Sequence, residues 1–501
     1  MAARRAWLVG LLGAGLAASA ARAEPPAPPT DDTGVVVDAD AEAAAPAPDF
    51  TDPTFGPRYV VEQIVVTGNR KTKEALIVAE LTDLGIAPGA TISGGDARVE
   101  AARFRLLALG HFLDARLSLG RGTKRGGAVL LVEVEERGSI VINELYPSTS
   151  AATLFWGGAD LSETNFLGRG INLGGAFVAS TTPLVANAVP GLGLRLHGSI
   201  PERRGPGSVA LSATALFTDG SEFYRIAGPD DDPDPDLFTA TRTRRAGGVL
   251  GAEKTFARVW HLGVDLRGEA LHAWLPPQQT RLLANGAQEP IDFHILEGDS
   301  RVATLALSLD RDTRSDPVLP RSGSRVVASL ELGAPGLGSY AFAKALVQAS
   351  VYAKMPRGHA LGLHLLGGAL AGDAPYFDRF YVGDLNPLLP RRALGMTFST
   401  QSSRDLLGTT IERQRYGDYA ARALVEYAIP MWRRSGFVYG GDLFAAAGLF
   451  LLGSNGDFRP PGGLTWSQLP VDLTADLGLR LDTYVGIFTI SIANALSRSS
   501  F

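Results

Sequence analysis

Apolar and polar residues alternate one by one over most of this chain. The clearest run is Asp472-Leu473-Thr474-Ala475-Asp476-Leu477-Gly478-Leu479-Arg480-Leu481-Asp482. As a strand it puts Leu, Ala, Leu, Leu and Leu on one face and Asp, Thr, Asp, Gly, Arg and Asp on the other. Residues 192–197, 264–270, 325–332 and 421–429 alternate in the same way, with Arg422 and Glu426 on the polar side of the last run. Gly, Pro, Asp and Asn separate the runs, and no helical period persists after Gly138. A soluble sandwich would turn the apolar face to a core; a membrane barrel turns it to lipid and keeps the charged face in a wet lumen. Residues 138–501 leave room for about sixteen antiparallel strands of roughly ten residues with their turns.

The pattern over residues 58–137 differs. Residues 59–67 (YVVEQIVVT) are β-branched and alternate, which predicts a strand, and Gly68-Asn69 a turn. Residues 72–84 carry apolar side chains at helical spacing, with Thr72 as the expected N-cap. Residues 96–109 predict a second helix ended by Gly110. Strands over 112–119 and 128–135 complete a small α/β unit.

Composition narrows the class. The chain has 501 residues, too many for one ordinary domain. Its net charge of −5 argues against nucleic-acid partners, and the absence of Cys removes disulfides and thiolate metal sites. Residues 1–23 read as a signal peptide: Arg4 and Arg5, an apolar run, then Ala21-Arg22-Ala23 as an A-x-A cleavage site. Residues 24–57 form an acidic linker rich in Pro and Ala that cannot bury enough apolar surface to order itself. No later run approaches the ~20 apolar residues of a spanning helix, so any membrane crossing is made by strands.

Four elements carry a family resemblance. Asn165-Phe166-Leu167-Gly168-Arg169-Gly170 is similar to the N-F-L-G-x-G turn of the BamA/TamA-like outer-membrane assembly barrels, the bacterial surface antigen family. Asp310 to Gly323, with Pro317 and Pro320, resembles the D-x-R-x-x-P-x-x-P-x-x-G element, which ends one strand and opens the next. Val425-Glu426-Tyr427-Ala428-Ile429-Pro430 resembles the E-Y-x-x-P element of a late strand, and residues 486–496 the closing strand. Ile64-Val65-Val66-Thr67-Gly68-Asn69 and Leu109-Gly110-His111-Phe112 make the 58–137 unit resemble a single POTRA domain.

The resemblance implies a bacterial outer-membrane barrel with its POTRA domain in the periplasm. It implies insertion or translocation of unfolded outer-membrane or secreted client proteins, with accessory lipoproteins as further partners. It implies a client edge on the strand holding Phe112, Asp114, Arg116 and Leu119, and a barrel seam on the strand holding Gly486, Phe488, Ile490 and Ile492. Relatives carry an inward loop with an R-G-F/Y tip, whose Arg pairs with a wall Asp. Here Arg391, Arg392 and Gly395 stand at the tip, and Ala446 occupies the position of the carboxylate. A lumenal Arg still calls for a carboxylate partner. The expectation is therefore that Arg392 or Arg391 pairs with Asp442 or Glu426. The acidic run at 230–236 reads as a surface loop rather than a calcium site, and the seven His residues form no metal motif. No cofactor, nucleotide or metal is expected, and no enzyme activity. The alternatives are a secretion pore for one partner, a barrel-embedded hydrolase built from separate strands, and a structural surface antigen.

Overall fold

The computed structural model describes residues 57–496 apart from 94, 203–207, 230, 231, 233, 257, 258, 317, 318, 386–391, 401–415, 434, 435, 456, 457 and 459–470. The cleavage site at Ala21 and Ala23, nearly all of the acidic linker, Arg391, Pro317 and Phe501 lie outside the described residues. All described residues belong to one compact unit.

The first part is a four-stranded sheet with two helices: β1 (Arg58–Thr67), α1 (Glu74–Thr82), β2 (Thr91–Ser93), α2 (Ala97–Ala108), β3 (Phe112–Arg121) and β4 (Gly127–Glu136). The strand order is β2-β1-β4-β3, with β1 and β4 parallel, so β3 is a free edge. The alternation of β4 buries Leu130, Val132 and Val134 against Ile77, Leu81 and Leu106 of the helices. Asp96 caps α2 by accepting from the Arg98 amide at 2.9 Å, worth about 1 kcal/mol. Gly110, at φ +74°, turns the chain out of α2. Thr72 is not the cap of α1, as the sequence suggested: the cap position falls on Lys73, which makes no side-chain cap bond. Thr72 has been drawn into contacts with the barrel instead.

The second part is one antiparallel sheet of fifteen strands among the described residues. They are β5 (Ile140–Leu145), β6 (Trp156–Phe166), β7 (Ile171–Ser180), β8 (Leu192–Ile200), β9 (Ala210–Arg225), β10 (Phe238–Phe256), β11 (Trp260–Trp274), β14 (Gly298–Asp312), β15 (Gly323–Gly333), β16 (Ala341–Lys354), β17 (Ala360–Asp373), β20 (Tyr419–Arg433), β21 (Val438–Gly453), β22 (Val471–Thr483) and β23 (Gly486–Leu496). A hairpin of β12 (Thr280–Leu282) and β13 (Gln288–Pro290), and a bridge of β18 (Phe380–Tyr381) with β19 (Tyr416–Gly417), lie outside that sheet. A single helical turn, α3 (Val382–Leu385), follows β18.

The pleat sorts the side chains as the alternation predicts. Leu194, Leu196, Leu250, Leu266, Val347, Leu363, Val425, Leu477, Ile490 and Ile492 stand exposed on the outer face. Their neighbours Arg245, Glu269, Glu426 and Asp442 are buried inside. Among the described residues no helix is long and apolar enough to span a membrane. The Pro-rich element behaves as read: β14 stops at Asp312, and Gly323 at φ +94° opens β15, where a Cβ would strike the Thr313 carbonyl.

Fifteen is an odd number, and each strand runs opposite to its neighbour, so β5 and β23 point the same way. They meet where the chain turns from β22 into β23. Ile142 donates to the Val485 carbonyl at 2.7 Å, and among the described residues this is the one backbone hydrogen bond across the seam. Gly486, at φ +128°, opens β23 opposite Thr483. Its missing Cβ leaves room for the Ile142 carbonyl.

Candidate functional site

The site has three parts: the lumen with its inward segment, the seam, and the junction with the α/β domain. The inward segment runs between β17 and β20 and is described over 374–385 and 392–400. It enters through Tyr376, Phe377 and Asp378, all buried. Asp378 accepts from Arg267 Nη1 of β11 at 2.7 Å. Arg267 also grips Glu269 at 2.7 Å, and Arg245 of β10 holds Glu269 at 2.9 Å while its guanidinium lies 3.7 Å from the Phe377 ring centroid. Lys344 of β16 donates to the Asp378 carbonyl at 2.8 Å. The segment thus presents a carboxylate and an aromatic ring to a wall of cations. Polar chains that would be costly to bury singly are held by one another.

The tip is a tight hairpin. Ala393 and Met396 exchange backbone hydrogen bonds of 3.0 Å, with Leu394 at φ +53° and Gly395 at φ +82° between them. That is the geometry of a type I′ turn, and Gly suits its second position. The residues that follow lie against the first barrel strands. Phe398 stacks on Trp156 at 4.7 Å and 17° between planes, and its carbonyl accepts from Ser150 Oγ at 2.6 Å. Thr397 bonds Glu222. Gly191, Gly193 and Gly220 form the floor: a Cβ on any of them would run into Phe398, Leu394 or Met396. Beside the tip, a cavity of about 520 Å³ is lined by Tyr146, Arg195, Asp265, Arg267, Glu331 and Arg392, among others.

Arg392 does not pair with Asp442 or Glu426. Its Nη1 donates to the Phe377 carbonyl at 2.8 Å and its guanidinium lies 5.1 Å from the Tyr381 ring centroid. The expected partners are engaged by others. Arg321, from the turn after Pro320, pairs with Asp442, and Arg480 of β22 clasps Glu426 through two bonds of 3.1 and 2.8 Å. The reason is reach: both carboxylates are taken by arginines on, or turning in beside, the wall near them. Parity placed these charges in the lumen correctly; which Arg meets which acid depends on closure of the sheet.

Near the seam, Asp160 of β6 gathers Asn143 of β5 at 3.0 Å, His197 of β8 at 3.1 Å, and Arg195. Ser162 bonds Asn143 Oδ1 at 3.2 Å. Asp160 and His197 thus come from separate strands, as a barrel hydrolase would need, but the Ser162 hydroxyl is directed to Asn143. Ile490 and Ile492 of β23 stand about two thirds exposed on the outer face, and Phe488 is half-buried.

At the junction, the Asn165–Gly170 turn is a socket as well as a hairpin. Asn165 donates through Nδ2 to Thr72 Oγ1 at 2.9 Å and accepts from the Gly170 amide at 2.8 Å. The Lys73 amide donates to the Gly168 carbonyl at 2.9 Å, and a Cβ on Gly168 would strike the Lys71 carbonyl. Glu136 accepts from the amides of Lys71 at 2.9 Å and Thr72 at 2.6 Å. Burial raises the Glu136 carboxyl, but the bonds from Thr72 and Lys71 outweigh it and leave the group below its ordinary range. Burial also lowers His111, against the pull of Glu136 and Glu163. On the other lip of the seam, Arg137 pairs with Asp482 and lies 4.8 Å from the Tyr439 ring centroid. On β3, Phe112 is buried in the α/β core, whereas Asp114, Arg116 and Leu119 are partly or fully exposed.

Residues 277–498 match the model of the Omp85 superfamily domain. That part of the chain, from the β12 hairpin to β23, is an Omp85 superfamily domain. A barrel of this kind is a protein of the bacterial outer membrane. Solved structures that resemble this Omp85 barrel include BamA from Haemophilus ducreyi lacking POTRA domains 1-3, at 15% identity and a TM-score of 0.49, covering 88% of this chain and 82% of that one. CdiB from Escherichia coli is 11% identical with a TM-score of 0.48, covering 89% of each chain. CdiB from Acinetobacter baumannii is 10% identical with a TM-score of 0.47, covering 87% of this chain and 74% of that one. No curated protein matches the sequence.

Proposed function

We propose that this Omp85 barrel inserts or translocates client polypeptides at the outer membrane through its β5–β23 seam, without chemistry of its own. The observation that carries the reading is the seam: fourteen neighbouring strand pairs are laddered, while β5 and β23 share one backbone bond at the turn. Unpaired backbone groups at membrane depth are costly and take up any strand offered to them. The α/β domain reads as a POTRA domain on the periplasmic side. Its free β3 edge receives an extended client segment by strand addition, over Asp114, Arg116 and Leu119. Unfolded outer-membrane or secreted proteins are the partners. The inward segment, which occupies the lumen, favours the lateral route over a wide axial pore.

The test is a cross-seam disulfide. Ile142→Cys with Val485→Cys, oxidised in cells depleted of the native protein, should leave the outer membrane short of several proteins, and reductant should restore them. If the locked form supports a normal outer-membrane protein census, the seam is not the route. Loss of a single species would mark a dedicated exporter.

A further inference from the structure

The outer face of β9, β10, β11 and β14 carries one charged row that no step above uses. It lies at the end of the barrel away from the α/β domain. The strand register aligns Asp219, Arg244, His272 and Asp299 in one row. Arg242 stands opposite Trp274 just above it. The next row below is Phe217, Ala246, Ala270 and Arg301, followed by Ala215, Gly248, Gly268 and Ala303, and then Ala213, Leu250, Leu266 and Leu305. Each of these rows shares the pleat face of the exposed Leu250 and Leu266, so the charges face outward at the upper border of the lipid-facing surface.

Asp219 holds the two arginines side by side. Arg242 reaches it at 2.9 and 2.8 Å, and Arg244 at 3.0 and 2.7 Å, through Nε and Nη2 in each case. Both Nη1 groups are left without a partner among the described residues. Arg242 and Arg244 lie 4.5 and 5.7 Å from the Trp274 ring centroid. Arg301 is exposed, and its guanidinium makes no bond among the described residues. Three arginines against two aspartates leave the patch cationic. Free arginine N–H groups, a border Trp and an apolar field directly below match an amphiphile with an anionic oxyacid head.

We propose that this patch binds the phosphate of a lipid whose headgroup is net anionic, with Arg242, Arg244 and Arg301 on the phosphate and the acyl chains along the Ala and Leu rows beneath. The Nη1 edges of Arg242 and Arg244 supply the donors, Asp219 fixes their spacing, and Trp274 packs at the head–chain boundary. A free phosphate ion would use the same donors but gain nothing from the apolar field.

Delipidated full-length protein in detergent, titrated with bis-phosphorylated lipid A and read by native mass spectrometry, tests this. The wild type should retain lipid A, and R242Q/R244Q should bind it about tenfold more weakly or less. Arg301→Gln, whose side chain holds nothing in the fold, should weaken binding several-fold, and Arg357→Gln at the other end of the barrel should not. Equal retention by R242Q/R244Q, by Arg301→Gln and by the wild type would overturn the site. So would equal retention of phosphatidylcholine, or complete displacement of lipid A by millimolar inorganic phosphate.

Discussion

The residues that hold the lumen together are matched pairs whose removal is felt through the partner left behind. Asp378 is the sharpest case, because Arg267 and Lys344 both converge on it. Asp378→Ala leaves Arg267 with its other carboxylates and Lys344 on the main-chain carbonyl, but removes the carboxylate that ties the inward segment to Arg267. Because Arg267 keeps Glu269 and Glu331, the cost falls below the about 3–5 kcal/mol of a buried charge left wholly unpaired. Urea unfolding in detergent, followed by the heat-dependent gel shift of the barrel, should show a lower midpoint for Asp378→Ala. The exchange R267D/D378R should recover part of it. Glu136 makes a second prediction, tied to pH. Its folded carboxyl lies below the ordinary range, so its stabilisation is complete above the unfolded value and is lost as pH falls through the depressed one. His111 acts in the same direction from a higher start, since burial disfavours its charged form. The protection factors of the Lys71 and Thr72 amides, relative to intrinsic exchange at each pH, should therefore fall on acidification below about pH 6.5, and more steeply below about pH 4.5. Glu136→Gln should show fast exchange already at neutral pH.

Among the elements, the inward segment is the one whose shape the wall dictates. Three glycines on or beside β8 and β9 make the trough for its tip, and a side chain on Gly193 would occupy the space of Met396 and Leu394. Gly193→Leu should expel the tip while leaving the sheet ladder intact. The measurement is a disulfide between Trp156→Cys and Phe398→Cys: it should form readily in the parent and poorly with Gly193→Leu. This element was also the hardest to read in the chain. Alternation announces strands, and it placed β8, β11, β15, β20 and β22. A segment folded back into a lumen has no period to betray it. The family resemblance put the tip at Arg391, Arg392 and Gly395, yet the wall that the described tip meets is β8, β9, β10 and β11 rather than β20 and β21. Contacts between elements so far apart in the chain follow from sheet closure, which no local pattern encodes.

At the scale of the whole molecule, the α/β unit was legible element by element, its strands and helices falling within a few residues of expectation with only the three-residue β2 missed, whereas the barrel was legible as a pattern and only in part strand by strand. The barrel came close to the expected sixteen strands, with fifteen among the described residues. The junction was invisible in advance, because Thr72 looks like a helix cap and Asn165 like a turn residue until the two are brought together. That junction has a mechanical meaning. The small domain is fastened to the β6–β7 turn through Lys71, Thr72 and Lys73, and to the β22–β23 side through Arg137. Those anchorages stand on opposite banks of the gap between β5 and β23. A tug on the domain is therefore shared by both banks, like a load on a bridge deck, and whatever strains the deck strains the gap beneath it.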